Sequence, residues 1–552
     1  MDELKKGLYF LPLGGAGEIG MNLNLYACDG KWLMVDLGIG FADSGTPGVD
    51  IIMPDPAWIA ERRDDLLGLV LTHGHEDHLG AVAYLWPQLQ CPVYATRFAG
   101  EILRRKLSEQ GLLDQVPLTI VEDEPISLGA FEVSMIAITH SIPEARSLAI
   151  RTPYGTVLHT GDWKLDDDPQ VGPPTDVSAF ARLGQEGVLA AICDSTNIFN
   201  AGHSGSEADV LASLRRLLTG REGRVVLTTF SSNIARIHTI GRLASELGRH
   251  AILVGRSLLR NVEAARACGY LEDLPPFLTA EDAGYLPREK TLLLCTGCQG
   301  EPRGALYRIV EGSHRDVALS PGDTVIFSSK IIPGNERAIG RLLNMLVRAG
   351  LDVVTEKDAL VHVSGHPGRE ELAQMYGWLK PRIAVPVHGE DRHIRAHADF
   401  ACSLGVGETP RVSNGDLLRL APGEAGIVSR VPVGVLARDV DSLLDIRDEV
   451  LQQRRKIMYN GAVAVSVVLN AAGKPALAPQ LRFSGIPGIE ARHTEQARKE
   501  VENAVMGLKA SARAADDAVE QAAAQAVRRL VRRMSGRRPV ALVTVLRLGD
   551  DA

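Results

Sequence analysis

Aromatic residues are scarce in this chain of 552 residues, since Phe, Trp and Tyr together make up 5% of it. Long apolar runs are missing too: no uninterrupted stretch approaches the roughly 20 residues that a membrane-spanning helix needs. The charged residues 1–6 are not followed by the apolar core of a signal peptide. We therefore expect a cytoplasmic protein without a membrane partner.

Positive charge is also lacking overall, because the formal net charge is −8. A chain with this balance has no global attraction for nucleic acid. Any polyanionic partner must then be held by a local basic surface or by bound metal ions. A polyanion is therefore expected to bind only at such a basic surface or at a metal site.

Cysteine is sparse: the seven Cys residues are odd in number and scattered along the chain. Such usage is typical of reduced thiols in a reducing compartment and argues against disulfides. Only Cys295 and Cys298 form a Cys-x-x-Cys pair. With no second pair and no nearby His, we interpret it as a coincidence rather than a zinc or redox site.

What the chain does contain is typical of a large globular protein. Its 45% hydrophobic residues and 55 Gly indicate a fold rich in β/α turns, and its length suggests three or four domains. Residues 8–40 and 131–159 predict strands and turns, whereas residues 206–355 predict regular βαβ units and hence a parallel sheet. The fold class is α/β.

The loop after a buried strand, within residues 69–80, carries four metal-type side chains: His73, His75, Asp77 and His78. His73 and His75 alternate along extended backbone and therefore point to one side, whereas Asp77 and His78 follow where the chain turns. Three of the 15 His lie within six residues, which argues against the alternative of a polar loop with coincidental histidines. Imidazole and carboxylate favour a cation such as zinc, and this loop could serve two of them.

Three further residues stand at predicted strand ends. His140 would supply a fifth ligand through a ring nitrogen, and Asp162 a carboxylate able to bridge two cations, although each alone is more often an ordinary loop residue. Asp36 is either a turn-starting Asp or a partner that orients a ligating His, and we favour the second interpretation. More His-bearing segments, 361–366 and 387–390, appear only after the parallel block, which indicates that this block is inserted into the first fold.

These breaks predict five parts: 1–205 and 356–430 form one domain, 206–355 is inserted in it, 431–458 is a linker, and 459–552 is a small α+β domain. Six Arg residues lie near the end of that last domain. They could contact phosphates or simply form a solvated helix end favoured by the helix dipole, and the sequence does not separate these alternatives. The six are Arg528, Arg529, Arg532, Arg533, Arg537 and Arg538.

Short motifs along almost the whole chain make it similar to the ribonuclease J family, the bacterial β-CASP ribonucleases of the metallo-β-lactamase superfamily. The resemblance implies an αββα metallo-β-lactamase sandwich with an inserted parallel β-CASP domain. The motifs are Leu-Gly-Gly-Ala-Gly-Glu-Ile-Gly (13–20), Thr-His-Gly-His-Glu-Asp-His (72–78), Thr-His-Ser-Ile-Pro (139–143), His-Thr-Gly-Asp-Trp (159–163), Cys-Asp-Ser-Thr-Asn (193–197), Ser-Ser-Asn-Ile (231–234), Cys-Gln-Gly-Glu-Pro (298–302), Pro-Gly-Asn (333–335), Val-Ser-Gly-His (363–366) and Val-His-Gly-Glu (387–390).

The resemblance implies two Zn²⁺ per subunit. His73, His75 and His140 would hold one zinc, Asp77, His78 and His388 the other, and Asp162 would lie between them. Two such cations lower the pKa of a shared water, so that hydroxide can attack a phosphodiester in line. The family motifs place Asp194 and His366 as the acid/base pair that protonates the leaving oxygen, although Asp194 could be purely structural.

Two segments are implied to bind the substrate. Backbone amides and side chains of His362, Val363, Ser364, Gly365 and His366 would grip a nucleotide phosphate. Ser231, Ser232 and Asn233, before a predicted helix, would hold the 5′ phosphate at the helix N-terminus. Helix capping by Ser232 or Asn233 is compatible with that role.

The implied activity is 5′→3′ exonuclease action on single-stranded RNA with a 5′-monophosphate, together with endonuclease capability, in ribosomal RNA processing and messenger RNA decay. Family members suggest a homodimer or homotetramer and partner proteins of RNA degradation. A further structural divalent cation at Gly48, Asp50 and Asp445 is also implied, against the alternative that these Asp residues are simply solvated.

Two other hypotheses make different demands on the sequence. A small-molecule hydrolase on this fold should lack both the inserted domain and the Val-Ser-Gly-His segment, and a non-enzymatic RNA-binding scaffold should have lost metal ligands. All the implied ligands are present. The nuclease hypothesis is therefore favoured.

Overall fold

The computed structural model describes residues 6–43 and 45–548 and divides the chain into two compact units. The large unit comprises residues 6–40 and 53–434, and the small unit comprises residues 41–52 and 435–548. Two short strands, Gly40–Phe41 and Ile51–Pro54, lie where the chain passes from one unit to the other. Each unit has its own apolar core.

The first sheet of the large unit has eight strands. The inner strand Leu8–Gly14 is buried at every position, as expected for a strand that is covered on both faces. In spatial order the strands are Gly426–Arg430, Asp416–Ala421, Leu8–Gly14, Leu23–Cys28, Lys31–Val35, Leu66–Val70, Val93–Ala95 and Leu118–Ile120. Residues from near the end of the unit thus complete a sheet begun at its start.

A second sheet of six strands shares one apolar core with the first. Phe10 and Tyr26 of the first sheet belong to the same buried cluster as Phe131, Leu148 and Ile192 of the second. The strands follow in the order Ile126–Leu128, Phe131–Ala137, Arg146–Thr152, Gly155–His159, Ala190–Asp194 and Ile383–Val387. Two sheets packed on a common core form the predicted sandwich.

Helices lie on the outer faces of both sheets. Val177–Glu186 and Arg369–Leu379 bury Phe180 and Leu372 in an apolar cluster with the second sheet, while Arg97–Glu109 packs against the last strands of the first sheet. The remaining helices of the sandwich are Ala57–Ala60, Glu76–Leu79, Val82–Leu89 and Asp391–Ser403, with a 3₁₀ turn at Arg63–Asp65. The αββα arrangement is confirmed.

The insertion is visible in the strand order. Ala190–Asp194 and Ile383–Val387 are parallel neighbours in the second sheet, yet the chain between them forms a separate, wholly parallel sheet. That sheet has the order Leu278–Thr279, His250–Val254, Thr291–Cys295, Val225–Thr228, Thr324–Phe327 and Asp352–Val354. Val, Leu and Ile dominate its central strands because helices cover both faces.

The helices of the inserted part have clear start signals. Ser206 and Asn233 cap the helices that follow them by accepting a hydrogen bond from a backbone N–H. The helices are Glu207–Leu218, Ile234–Glu246, Arg256–Ala267, Ala305–Val310 and Glu336–Arg348, with 3₁₀ turns at Ala280–Gly284 and Arg288–Lys290.

A buried ion pair ties this part together. The guanidinium of Arg236, which is fully buried, donates to both carboxylate oxygens of Glu207 at 3.0 Å. It also donates to the carbonyl of Val361 at 2.8 Å, directly before the His362 segment. Arg236 therefore links two helices to the segment that carries His362 and His366.

The small unit is a three-stranded sheet packed against helices. Ala462–Leu469 is central, with Gln480–Ser484 antiparallel and Val540–Arg547 parallel to it. Ala491–Met506 and Asp516–Ser535 bury Val501 and Val527 against the sheet, and the short helix Ala510–Arg513 lies between them in sequence.

Two boundaries differ from those that the sequence pattern predicts. Alternating residues over 476–483 predict a strand, but the strand begins only at Gln480, since Pro479 has no N–H to give to a ladder. The pattern over 494–513 predicts one helix, but the helix ends at Met506, because Gly507 takes the C-cap position and a second short helix follows.

Residues 431–458, expected to be a linker, contain regular structure. Val435–Asp439 and Ser442–Asp445 form an antiparallel hairpin, and the helix Glu449–Asn460 follows. Ala437 and Leu451 are buried with Val49, which comes from far earlier in the chain. A local sequence pattern does not reveal a core that is completed by so distant a partner.

No helix within residues 6–43 and 45–548 is both long and apolar enough to cross a membrane.

We predict that Arg236→Met destabilises the protein by about 3–5 kcal/mol, because Glu207 would remain buried without its partner. Urea denaturation followed by tryptophan fluorescence measures this. The matched control is Arg242→Met on the same helix, whose pair with Glu246 is partly exposed and should contribute less than about 1 kcal/mol. Equal effects of the two substitutions would contradict the structural role given to Arg236.

Candidate metal centre

The predicted histidine loop follows the strand Leu66–Val70 and leads into the short helix Glu76–Leu79. His73 Nε2 lies 3.0 Å from His75 Nδ1, and His140 Nε2 lies at the same distance from that atom. Asp162 completes this first group of potential ligands. The structure thus brings together the three imidazoles that the resemblance assigns to one cation.

The second group joins the same loop to a residue more than 300 positions later. His388 Nε2 lies 3.3 Å from Asp77 Oδ2, and His78 Nε2 lies 3.2 Å from Asp162 Oδ2. His388 has φ = 52° and follows the strand Ile383–Val387. Asp77, His78, Asp162 and His388 form this group, in which all potential ligand atoms lie within 4.8 Å of one another.

Asp162 belongs to both groups. One oxygen, Oδ2, lies 3.2 Å from His78 Nε2 and 3.8 Å from His140 Nε2, while Oδ1 lies 3.6 Å from His388 Nε2. A carboxylate with imidazoles of both groups on its two oxygens has the position needed to bridge two cations.

Most of the imidazoles are oriented through their other ring nitrogen. His78 Nδ1 lies 2.7 Å from the buried carboxylate of Asp36, which also accepts hydrogen bonds from the backbone N–H and hydroxyl of Thr72. This contact is the orienting role that we favoured for Asp36. His388 Nδ1 lies 2.8 Å from Thr196 Oγ1, and His140 Nδ1 lies 2.5 Å from the carbonyl of Gly365.

The first group suits a cation because its imidazoles are neutral. Burial lowers the pKa of His73 and His140 well below the usual range and lowers that of His75 to about 4, and the neighbouring imidazoles add to this for His73 and His140. Neutral imidazole is the ligating form. The donors of this group are therefore ready to bind metal at neutral pH.

The second group suits a cation because its carboxylates favour positive charge. Burial alone would lower the pKa of His388, but Asp162, Asp194 and Asp77 outweigh it and raise this pKa to about 10. Burial would likewise lower the pKa of His78, but Asp162, Asp77 and Asp36 outweigh burial and raise this pKa well above its usual value. A pocket that stabilises charged imidazoles stabilises a metal ion for the same electrostatic reason.

Asp194 and His366 form a direct pair beside these groups. His366 Nδ1 lies 2.8 Å from Asp194 Oδ2, and the other oxygen of Asp194 accepts from the N–H and hydroxyl of Thr196. Burial would lower the pKa of His366, but Asp194 and Asp162 raise it. Asp194, His366, Asp162 and His388 form a third cluster of potential ligands, so the pair borders the metal groups.

The segment His362–His366 lies against the first group. A Cβ on Gly365 would approach His140 Cε1 to 2.8 Å, so only glycine allows this close packing. Asn197 donates to Ser364 Oγ at 2.6 Å and to the carbonyl of His366 at 2.9 Å. The sequence alone gave no role to Asn197 or Thr196, although both belong to the motif 193–197.

His362 has a buried ring nitrogen that is available for a hydrogen bond. Its Nδ1 is buried and has no hydrogen-bond partner within the part of the chain that the structure describes. Burial, with the positive charges of Arg236, Lys330 and Lys164, lowers the pKa of His362 well below its usual range. Neutral imidazole near three cations suits a phosphate group.

The side chains of residues 231–233 differ in burial and in hydrogen bonding. Asn233 is buried, and its side chain caps the helix Ile234–Glu246 by accepting from the N–H of Arg236 at 2.9 Å. Ser231 Oγ accepts from Asn261 at 3.1 Å, and both serines are half-buried. Capping therefore accounts for the Asn233 side chain, whereas the serines retain some exposure.

The implied structural cation lies outside this centre, in the small unit. Asp445 binds the guanidinium of Arg447 through both carboxylate oxygens, at 3.1 and 2.9 Å, and this contact lowers the pKa of Asp445 to about 2. Gly48 has φ = 81°. A cation at Gly48, Asp50 and Asp445 would compete with Arg447, and this site stays a prediction.

Four family models match the chain. They are described as Metallo-beta-lactamase superfamily (residues 25–229), Ribonuclease J, beta-CASP domain (222–346), Zn-dependent metallo-hydrolase RNA specificity domain (350–402) and Ribonuclease J C-terminal domain (449–548). Together they cover both units.

Individual proteins match along most of the chain. It is 47% identical to a Ribonuclease J of Sinorhizobium meliloti over 86% of this chain and 85% of that protein. It is 40% identical to a Ribonuclease J of Mycolicibacterium smegmatis over 91% of each. A crystal structure of a protein of unknown function from Enterococcus faecalis V583 matches with a TM-score of 0.52 and 17% identity, over 75% of this chain and 100% of that one, which supports the fold alone.

We predict that Asp162→Asn lowers the bound metal from about two ions per chain to less than one, because the bridging charge is lost. Inductively coupled plasma mass spectrometry after dialysis against zinc buffer measures the content. His203→Ala, at a partly exposed histidine paired with Glu370, is the control and should keep the full content. Unchanged metal content in Asp162→Asn would contradict the bridging assignment.

Proposed function

Because the chain belongs to the ribonuclease J family, whose members are metal-dependent nucleases, we propose that it is a zinc-dependent ribonuclease that degrades and matures single-stranded RNA. It acts as a 5′→3′ exonuclease that favours 5′-monophosphate ends and also cleaves internally. The contact that most supports this is between His140 Nδ1 and the carbonyl of Gly365 at 2.5 Å. It holds the segment His362–His366, which we propose binds phosphate, directly against a proposed metal ligand.

We assign one zinc to His73, His75 and His140 and the second to Asp77, His78 and His388, with Asp162 between them. Two divalent cations held there would activate a water nucleophile and stabilise the charge of an in-line displacement. The donor set fits, since imidazole nitrogens and carboxylate oxygens lie within 4.8 Å of one another in each of the two groups.

The chain's own residues position the phosphodiester and supply the proton. Ser364 and Gly365, with His362, bind phosphate oxygens, while Ser231 and Ser232 contact the terminal 5′ phosphate. His366, oriented through Nδ1 by Asp194, delivers a proton to the leaving 3′ oxygen. Asp194 stays ionised, because burial is outweighed by His366 and His388, which keep its pKa below the usual range.

Confinement between the sandwich and the inserted domain favours a single strand over a duplex. The free thiols of all seven cysteines suit a reducing compartment and support action in the cytoplasm. Assembly as a homodimer or homotetramer, and association with other proteins of RNA degradation, remain parts of this proposal.

We predict that 5′-monophosphate RNA is degraded faster than the same RNA with a 5′-hydroxyl or a 5′-triphosphate, because only the monophosphate fits the serine and glycine donors. Gel assays of 5′- and 3′-labelled RNA with zinc-loaded enzyme measure the rates and the products. A circular RNA tests internal cleavage separately. Equal rates for the three ends would contradict the 5′ preference, and RNA degradation by His75→Ala as fast as by the wild type would contradict the nuclease itself.

We also predict that His366→Gln lowers kcat by about 10²–10⁴-fold while zinc content stays near that of the wild type. Single-turnover cleavage measures the chemical step, and mass spectrometry measures the metal. The control is His393→Gln, at a buried histidine five residues after His388 to which we give no chemical role. A kcat of His366→Gln equal to that of the wild type would contradict proton transfer by His366.

A further inference from the structure

The small unit carries a basic surface that the proposed reaction does not use. Residues 521–548 contain seven Arg and no Asp or Glu, in a chain whose net charge is −8. Six of these Arg residues fall on or just after the second half of the helix Asp516–Ser535. Positive charge is therefore concentrated here against the overall balance.

Three of the seven are engaged within the small unit. Arg533 pairs with Glu500, Arg537 donates to the carbonyl of Tyr459, and Arg547 pairs with Asp516. The side chains of the other four are exposed and make no hydrogen bond or ion pair with residues 6–43 or 45–548. These four, Arg528, Arg529, Arg532 and Arg538, are called the arginine surface.

The helix dipole accounts for only part of this arrangement. It favours cations in the last turn, which contains Arg532 and Arg533. Arg528 and Arg529 precede that turn, and Arg538 follows the helix end. In addition, Arg528 with Arg532 and Arg529 with Arg533 are like-charge pairs four residues apart, which destabilise a helix by about 0.2–0.5 kcal/mol each. Folding alone therefore gives no reason for this cluster.

The geometry favours phosphates of an extended polyanion as the partner. Positions 528 and 532 lie one helical turn apart on one face, at a rise of about 6 Å. All four residues are Arg, whose planar guanidinium binds phosphate through paired hydrogen bonds. Arg528 and Arg532 thus offer two phosphate sites one helical turn apart, and Arg529 and Arg538 add positive charge nearby in the sequence.

A membrane surface fits less well. A helix that lies on a bilayer needs an exposed apolar face beside its basic residues. Here the apolar face, with Val519, Val527 and Val531, is buried in the core of the small unit. The exposed side is polar, which suits a nucleic-acid backbone.

We propose that the arginine surface binds the phosphate backbone of RNA without regard to sequence, as a second RNA contact separate from the metal centre. The identity of the polyanion rests on the proposed function, whereas the site itself rests on the four unpaired Arg residues. Longer RNA would gain affinity and a steeper salt dependence from this contact.

The test compares two full-length variants on a His75→Ala background, so that RNA is not consumed. One carries Arg528→Gln, Arg529→Gln, Arg532→Gln and Arg538→Gln. The control removes four exposed cations from other elements of the same unit: Lys456→Gln, Lys474→Gln, Arg482→Gln and Lys509→Gln. Fluorescence anisotropy measures Kd for single-stranded RNA of 40 and 6 nucleotides between 50 and 300 mM salt, as roughly the range where phosphate contacts dominate.

We expect the arginine variant to bind the 40-nucleotide RNA at least about tenfold more weakly and to lose about 2–3 units of the slope of log Kd against log salt, at about 0.7 per phosphate contact. The Kd of the control variant should stay within about twofold of that of its parent. Thermal unfolding should show no loss of stability in the arginine variant. Equal binding by the two variants would overturn the proposal.

Two further outcomes separate this inference from the proposed function. In the first, the enzyme with its native His75 cleaves no RNA while the arginine variant still binds RNA more weakly than the control variant. That result would support the arginine surface and contradict the nuclease assignment. If the parent binds phosphatidylserine vesicles through these Arg residues and shows no RNA affinity from them, the RNA surface is overturned.

Discussion

The position of one carboxylate, Asp162, sets the geometry of the candidate centre. Its two oxygens lie within 4 Å of imidazoles from both ligand groups, at His78, His140 and His388. Those imidazoles come from loops that follow different strands, and His388 reaches the site only because the chain returns after the insertion. The sandwich core is what holds these strand ends in register, so packing far from the centre fixes distances within it.

The surroundings of Asp162 divide the centre into parts with different electrostatic character. On one side, burial keeps the pKa of His73, His75 and His140 low and the imidazoles neutral. On the other, the carboxylates of Asp77, Asp162 and Asp194 favour positive charge. The carbonyl of Gly365 contacts His140, and His366 contacts Asp194. The segment His362–His366 is therefore coupled to the candidate centre through short hydrogen bonds.

Local sequence was sufficient where the signal is local. The cluster His73–His78, the strand-end positions of His140 and Asp162, and the parallel inserted sheet all follow from periodicity and spacing, and the structure confirms the fold. Asp36 could also be anticipated, because a carboxylate at a strand end next to the histidine loop is a natural orienting partner. The assignment of His388 and His366 to the centre came from the resemblance, since spacing does not show that the chain returns after the insertion.

Sequence was insufficient where the partner is distant or the atom is a backbone group. Thr196 and Asn197 orient His388 and the 362–366 segment, but their residue types are common at turns and give no signal of this. The structured segment 435–460 depends on burial against Val49, a contact that no local pattern contains. The Asn233 side chain shows the opposite case: its capping role is readable from sequence, and the structure shows that capping uses its side-chain oxygen.

The proposed metal centre requires two cations that share Asp162. Anomalous diffraction from crystals of the zinc-loaded protein, measured on both sides of the zinc absorption edge, tests it most directly. We expect two peaks, one beside His73, His75 and His140 and the other beside Asp77, His78 and His388, each in contact with a different oxygen of Asp162. A single peak, or peaks that do not contact Asp162, would contradict it.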